Sequence, residues 1–138
     1  MDTALLQQAA YACHLVELTT EADTPMPEIF GVFISFIDML CQRRNDSVPI
    51  LTFEIKLLSE LGLAPDSAEG RLSDGGRKIL EFLAVNDWTQ LQPLRLSTGQ
   101  SKELQAFLHS FLSQHLGKIP TGRKEAYACA IQDLKPKF

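Results

Sequence analysis

The residues of this chain best suited to chemistry are three histidines, three cysteines, one glycine-rich helix start and one basic cluster. Most are arranged against catalysis. His109 and His115 stand six apart, which on one helix turns them about 120° from each other, so they do not converge on a metal. His14 is remote in sequence, and no HExxH, CxxC pair or Ser–His–Asp pattern is present. Capping or surface positions are the ordinary use of such histidines. Cys13, Cys41 and Cys129 are odd in number and widely spaced. They read as small apolar packing residues in a reducing compartment rather than as a disulfide framework. Ser73-Asp74-Gly75-Gly76-Arg77-Lys78 can expose helix N–H groups to an anion. It does not match GxxxxGK[ST], no strand precedes it, and Asp74 would repel an anionic ligand, so it reads as a capped helix start. The sequence predicts neither an enzyme nor a resident cofactor.

One cluster favours anions. Lys118-Ile119-Pro120-Thr121-Gly122-Arg123-Lys124 places Lys118, Arg123 and Lys124 around a helix N-terminus, whose free N–H groups also attract phosphate. Contacts of this kind would position a nucleic-acid backbone and not read bases. The alternative is a solvated face. Residues 1–70 carry 3 Lys/Arg against 11 Asp/Glu, a net of −8, and residues 71–138 carry 10 against 6, a net of +4. The acidic total argues against nucleic-acid binding as the sole role, while the basic second half leaves room for a local phosphate-binding face.

Those residues need a scaffold. A chain of 138 residues, 45% hydrophobic and 22% charged, suits one soluble domain, residues 1–138, with its own core. The longest apolar run, Ile29 to Leu40, holds Ser35 and Asp38 and is too short to span a bilayer. The N-terminus carries Asp2 and no basic n-region, which predicts no signal peptide and a cytoplasmic location.

Helical spacing dominates, and no convincing strand pattern longer than four residues occurs, so the predicted class is all-α with about six helices. The first runs from about Ala4 to Thr19, capped by Asp2 or Thr3, with Leu5, Ala9, Ala12 and Leu15 or Val16 inward. Thr24-Pro25-Met26-Pro27 is a rigid connector into a second helix, about Pro27 to Arg44. That helix is apolar nearly all round and is expected at the centre of the domain; Arg43 and Arg44 complement its C-terminal dipole. Asn45-Asp46-Ser47 is a turn. The third helix, roughly Val48 to Leu61, is capped by Ser47, shows Ile50, Phe53, Leu57 and Leu61 on one face, and stops at Gly62 and Pro65. A loop from Ala64 to Arg71 follows. Ser73 caps a fourth helix, Asp74 to Asn86, with Ile79, Leu80, Phe82 and Leu83 inward. Trp88 to Leu91 is a short turn, and Trp88 reads either as an anchor onto the core or as a platform for a base. Leu94 to Ser97 is an extended connector. A long helix spans Ser101 to Leu116 and ends at Gly117, and a last one runs from Thr121 to Leu134.

The third helix and its stop, Phe53-Glu54-Ile55-Lys56-Leu57-Leu58-Ser59-Glu60-Leu61-Gly62-Leu63-Ala64-Pro65, resemble the signature of the helical C-terminal domain of the RecO family of DNA repair and recombination mediators. Ala10 to Leu18, Pro27-Glu28-Ile29-Phe30, Leu72-Ser73 and His115-Leu116-Gly117 resemble that family's other landmarks in the same order. The likeness covers most of residues 9–127. Arg123 matches the arginine of the family's LKSR element, while Thr121 and Gly122 stand where the family has Lys and Ser. Some members carry a four-cysteine zinc insertion after the LG turn; Ala64 to Gly76 has no cysteine and is too short for it.

The resemblance implies a non-enzymatic repair and recombination module. Its implied partners are the acidic, Phe-ended tail of single-stranded-DNA-binding protein, a RecR-like protein and single-stranded DNA. A tail of that kind needs an apolar pocket beside cations. The family often places a basic residue just before the Phe-Glu pair, where this chain has Leu51 and Thr52, so Arg43, Arg44 and Lys56 are the substitutes. Lys56 also reads as an i,i+4 partner of Glu60. The family's N-terminal OB-fold has no counterpart in this sequence, which predicts either a piece of a longer protein or a short relative. A helical protein–protein adaptor without DNA contact is the alternative reading.

Overall fold

The computed structural model describes residues 3–19, 26–43, 46–63, 72–119 and 121–131. Among them the helices are α1 (Thr3–Thr19), α2 (Pro27–Gln42), α3 (Val48–Glu60), α4 (Asp74–Val85), α5 (Thr98–Leu116) and α6 (Arg123–Ile131). No strand occurs among the described residues, and the all-α class holds. The Thr24-Pro25 connector, Asn45, the Ala64 to Arg71 loop and the expected end of the last helix at Leu134 lie outside the described residues.

The helix at the centre is α3. It packs against α2 and α4 and also touches α1 and α5. Every residue from Val48 to Ile55 is buried, as are Leu57 and Leu58. This corrects the expectation for α2, which lies against α3 and α1 and leaves Phe30 64% and Ile34 50% exposed. Thr52, Glu54 and Lys56 make α3 look one-sided in sequence. A helix with a carboxylate in its middle can still be enclosed if that charge finds a buried partner, and Glu54 does. The α2–α3 seam is aromatic: the Phe53 ring lies 4.8 Å from that of Phe36 and meets Phe33 edge-on at 6.3 Å.

Local chemistry sets the helix ends. Pro27 sits in the first turn of α2, where a missing N–H costs nothing. Ser47 does not cap α3 with its side chain. Asp46 does so instead, its Oδ1 accepting from the Val48 N–H at 2.9 Å, and Ser47 Oγ accepts from the buried Ser101 hydroxyl at 2.7 Å. At the other end Gly62 takes φ +76°. The Leu63 N–H reaches the Leu58 carbonyl at 2.8 Å and the Gly62 N–H the Ser59 carbonyl at 3.1 Å. That is the Schellman pattern expected of a C′ glycine.

Ser73 caps α4 as expected, accepting from the Gly76 N–H at 3.0 Å. Glu103 of α5 accepts from both the Ser73 N–H (3.1 Å) and hydroxyl (2.8 Å). A carboxylate therefore occupies the place a phosphate would take. Gly76 is buried, and a Cβ there would collide with the Glu103 carboxylate. Leu80 and Leu83 point inward, whereas Phe82 is 40% exposed, so its expected place in the core is corrected. Among the described helices α4 packs mainly on α3 and α5, which cover Leu80 and Leu83 and leave Phe82 at the edge.

The long helix α5 starts three residues before the expected Ser101. Ser97 and Gln100 form a reciprocal capping box, with the Ser97 hydroxyl accepting from the Gln100 N–H and the Gln100 side chain accepting from the Ser97 N–H. This overrides the poor helix propensity of Gly99. Gly117, at φ +76°, ends α5 as expected. Trp88 packs partly buried against the core and Leu91 is fully buried, so the 88–93 turn is an anchored connector.

Candidate nucleic-acid and partner interface

The centre of the molecule is ionic. Glu54 is fully buried in α3, and Arg123, at the first position of α6, is 2% exposed. The guanidinium grips the carboxylate with two bonds, Nε to Oε2 at 2.8 Å and Nη2 to Oε1 at 3.0 Å, the fork geometry that suits arginine and carboxylate. Two tyrosines complete the shell. The Tyr127 hydroxyl donates to Oε1 at 2.5 Å, and the Tyr11 hydroxyl donates to Oε2. Arg123 also donates from Nη2 to the Gln105 carbonyl at 3.2 Å, its Nη1 lies 3.3 Å from His109 Nδ1, and its Cζ is 4.7 Å from the Tyr127 ring centre. The Glu54 carboxylate thereby joins α1, α3 and α6, and Arg123 extends the link to α5.

These neighbours move proton affinities. Burial works against the Arg123 charge, but Glu54 outweighs it and holds the guanidinium above the usual arginine range. Burial first, and the Glu54 charge second, push both Tyr11 and Tyr127 well above their ordinary 10.0. The sign follows from linkage. A tyrosine whose folded pKa is raised contributes stability that is complete below about pH 10 and disappears as pH rises through the folded value. The urea midpoint is therefore expected to drop above about pH 10, and a Tyr11→Phe plus Tyr127→Phe chain is expected to show a flatter alkaline limb. Urea titrations across the alkaline range check this.

The basic residues named from sequence fall into different places. Arg123 is interior and spent on Glu54. Lys118 and Lys124 are exposed. Arg43 is buried and forms an internal strut. It pairs with Asp46 at 2.5 Å and donates to the carbonyls of Leu91 (3.1 Å), Gln92 (3.3 Å) and Leu94 (2.5 Å), pinning the connector before α5. Arg44 lies outside the described residues. Lys56 is half-buried, and its Nζ donates to the Asn86 carbonyl at 2.6 Å. Burial lowers its pKa, with Asp87 and Glu60 opposing. The structure engages Arg43 and Lys56 each on main-chain carbonyls between Asn86 and Leu94.

The structure gathers residues that the sequence reading passed over. Between α5 and α6 runs an open groove of about 590 Å³. Lys102, Gln105 and His109 line it from α5 and Lys124 from α6, over the small side chains of Ala106 and Ala128, with Arg123 at its base. Lys118 is not among its lining residues. Lys102, Lys124 and His109 are all exposed. Helical spacing carried a weak signal for this: Lys102, Gln105 and His109 recur at three- and seven-residue intervals, one face of α5. His115 stacks on Phe111 with ring centres 4.0 Å apart, away from any ligand set. Among the described residues no group of three or more His, Cys, Asp or Glu could hold a metal ion. None of the described helices is long and apolar enough to cross a membrane.

Comparison with known proteins bears on the ionic centre and on the signature helix alike. The family model described as "Recombination protein O C terminal" matches residues 2–70 and 66–125, a span that holds both Glu54 and Arg123. The DNA repair protein RecO of Myxococcus xanthus (strain DK1622) is 31% identical over 64 residues, covering 46% of this chain and 26% of that protein. The aligned stretch is thus about a quarter of that relative's length. No solved structure matches. With a family match across most of its length and the signature helix at the centre of its fold, the chain belongs to the RecO C-terminal domain family.

Proposed function

We propose that this chain is the helical module of a cytoplasmic RecO-type repair and recombination protein. It works by holding partners, not by catalysis. Its partners are single-stranded DNA, the acidic Phe-ended tail of single-stranded-DNA-binding protein and a RecR-like protein. The reading rests on the family match over residues 2–70 and 66–125, together with cations that remain free at the surface beside α6. Lys118 and Lys124 are the residues from the basic cluster that can meet phosphate, since Arg123 is used internally.

For the tail, the best support is on the α4 side. Phe82 (40% exposed) and Val85 (80% exposed) adjoin Asn86, whose carbonyl accepts from Lys56. Apolar surface beside a cation is the chemistry an acidic, aromatic-ended peptide requires. A second reading, an adaptor without DNA contact, is favoured by the net −8 of residues 1–70.

Fluorescence polarisation of labelled single-stranded DNA and of a labelled acidic Phe-ended peptide, at low and moderate salt, tests both. Binding of DNA that weakens as salt rises is the expected result, because phosphate binding releases counterions. Peptide binding with no DNA binding would establish the adaptor instead. Silence from both probes would overturn the proposal.

A further inference from the structure

We infer that the groove between α5 and α6 is a nucleic-acid backbone site, with Lys102, His109 and Lys124 as its phosphate-contacting residues. This rests on the repair reading above and goes beyond it by assigning the site and two residues, Lys102 and His109, outside the basic cluster. Three observations carry it. The lining is cationic in an acidic chain: among the described residues Lys102 and Lys124 line the groove and no acidic side chain does, while the protein's net charge is −4. The base is already neutralised, because Arg123 is paired with Glu54 at 2.8 Å, so the exposed lysines keep their charge for a ligand. The third observation is the shape. Lys102 and His109 are seven residues apart on one helix, about 10 Å along its axis at 1.5 Å per residue. That spacing suits successive phosphates of one strand.

His109 adds a hydrogen-bond donor. Arg123 Nη1 lies 3.3 Å from His109 Nδ1. A guanidinium only donates, so Nδ1 accepts in this contact and Nε2 is left as the ring's N–H. That N–H is a hydrogen-bond donor for a phosphate oxygen, as the Gln105 amide is.

The groove also indicates what it does not take. Ala106 and Ala128 line it, and among the described residues no aromatic or large apolar side chain does. An acidic peptide with an aromatic end would find no pocket there, and bases would find no stacking platform. Contact is therefore to sugar and phosphate, without base preference.

NMR amide-shift titration of the whole chain with a short oligodeoxythymidylate, with inorganic phosphate and with an acidic peptide tests the assignment. The oligonucleotide is expected to shift the amides of Lys102, Gln105, His109 and Lys124. Lys102→Ala plus Lys124→Ala is expected to weaken its binding at least about fivefold at low salt. The same pair should make the slope of log K against log salt shallower by about 1.4, two phosphates at about 0.7 each. Single variants, Lys102→Ala alone and Lys124→Ala alone, should fall between. Inorganic phosphate should bind far more weakly. Oligonucleotide shifts confined to another face, the turn at Lys118 for instance, would overturn the groove while leaving the repair reading standing. Shifts in the groove from the acidic peptide alone would reassign it to a protein ligand. No oligonucleotide shift anywhere would overturn the groove assignment and DNA contact together, and tail-peptide shifts at Phe82 and Val85 would then still distinguish a docking module.

Discussion

Glu54→Gln is expected to destabilise the fold by about 3–5 kcal/mol, the cost of breaking a buried ion pair from one side. For a chain of this size that lowers the melting temperature by on the order of 10 °C. The amide keeps the volume of the carboxylate but turns one of its two acceptor oxygens into a donor, and each oxygen takes one Arg123 N–H and one tyrosine hydroxyl. The amide NH2 would therefore meet one Arg123 N–H and one tyrosine hydroxyl with further hydrogens, and the Arg123 charge would lose its counter-charge. The order of effects is informative. Arg123→Met leaves Glu54 with both tyrosine hydroxyls still donating, so it is expected to cost less than Glu54→Gln. Replacing the whole cluster by apolar groups, Tyr11→Phe, Glu54→Met, Arg123→Met and Tyr127→Phe, removes the charges and the donors together. It is expected to recover most of the loss, since well-packed apolar residues often match a buried pair in stability. Urea unfolding of the three chains, followed by circular dichroism, measures this. Equal, small losses for all three would mean that the pair is not enclosed.

Phe53→Ala is expected to cost about 3–5 kcal/mol, the usual range for deleting a fully buried aromatic ring. Phe53 is fully buried at the α2–α3 seam, with Phe36 and Phe33 as ring neighbours. Neither can swing over to fill the space without leaving its own helix's packing. Phe53→Leu keeps most of the volume and is expected to cost clearly less. Phe30→Ala, on the exposed side of α2, is the control and is expected to stay within about 0.5 kcal/mol of the parent chain. Thermal melts of the three variants rank them. A Phe30→Ala loss as large as that of Phe53→Ala would mean that α2 is buried on both sides.

These two expectations show where the sequence was legible. Helix number, order and most ends follow from periodicity and from local signals such as Pro27, Ser73, Gly62 and Gly117, each acting within a turn of its own position. Burial was less legible because it depends on partners distant in the chain. Glu54 looks like a solvent-facing residue until Arg123, 69 positions away, is brought beside it. Arg123 looks like a surface cation for the same reason. The apolar circumference of α2 says that burial would be favourable there, not which neighbours exist to provide it. The capping box of α5 was readable as Ser97 and Gln100, but Gly99 obscured it. Lys102 and His109 could be placed on one face from spacing alone. That Lys124 lies across from them is a property of how α6 docks, which Glu54 and Arg123 fix.

The central claim is a division of labour: Arg123 and Glu54 build the face, and exposed lysines use it. Salt-dependent single-stranded DNA binding by two variants tests that directly. One is the fourfold apolar chain, which loses Arg123 but no net charge. The other is Lys102→Ala plus Lys124→Ala, which leaves the ionic centre intact. The account predicts that the fourfold chain, once shown to be folded, binds DNA within about twofold of the parent with an unchanged salt slope, while the lysine variant weakens and its slope flattens. A folded apolar chain that loses DNA binding, beside a lysine variant that keeps it, would contradict the account and return Arg123 to the nucleic-acid surface.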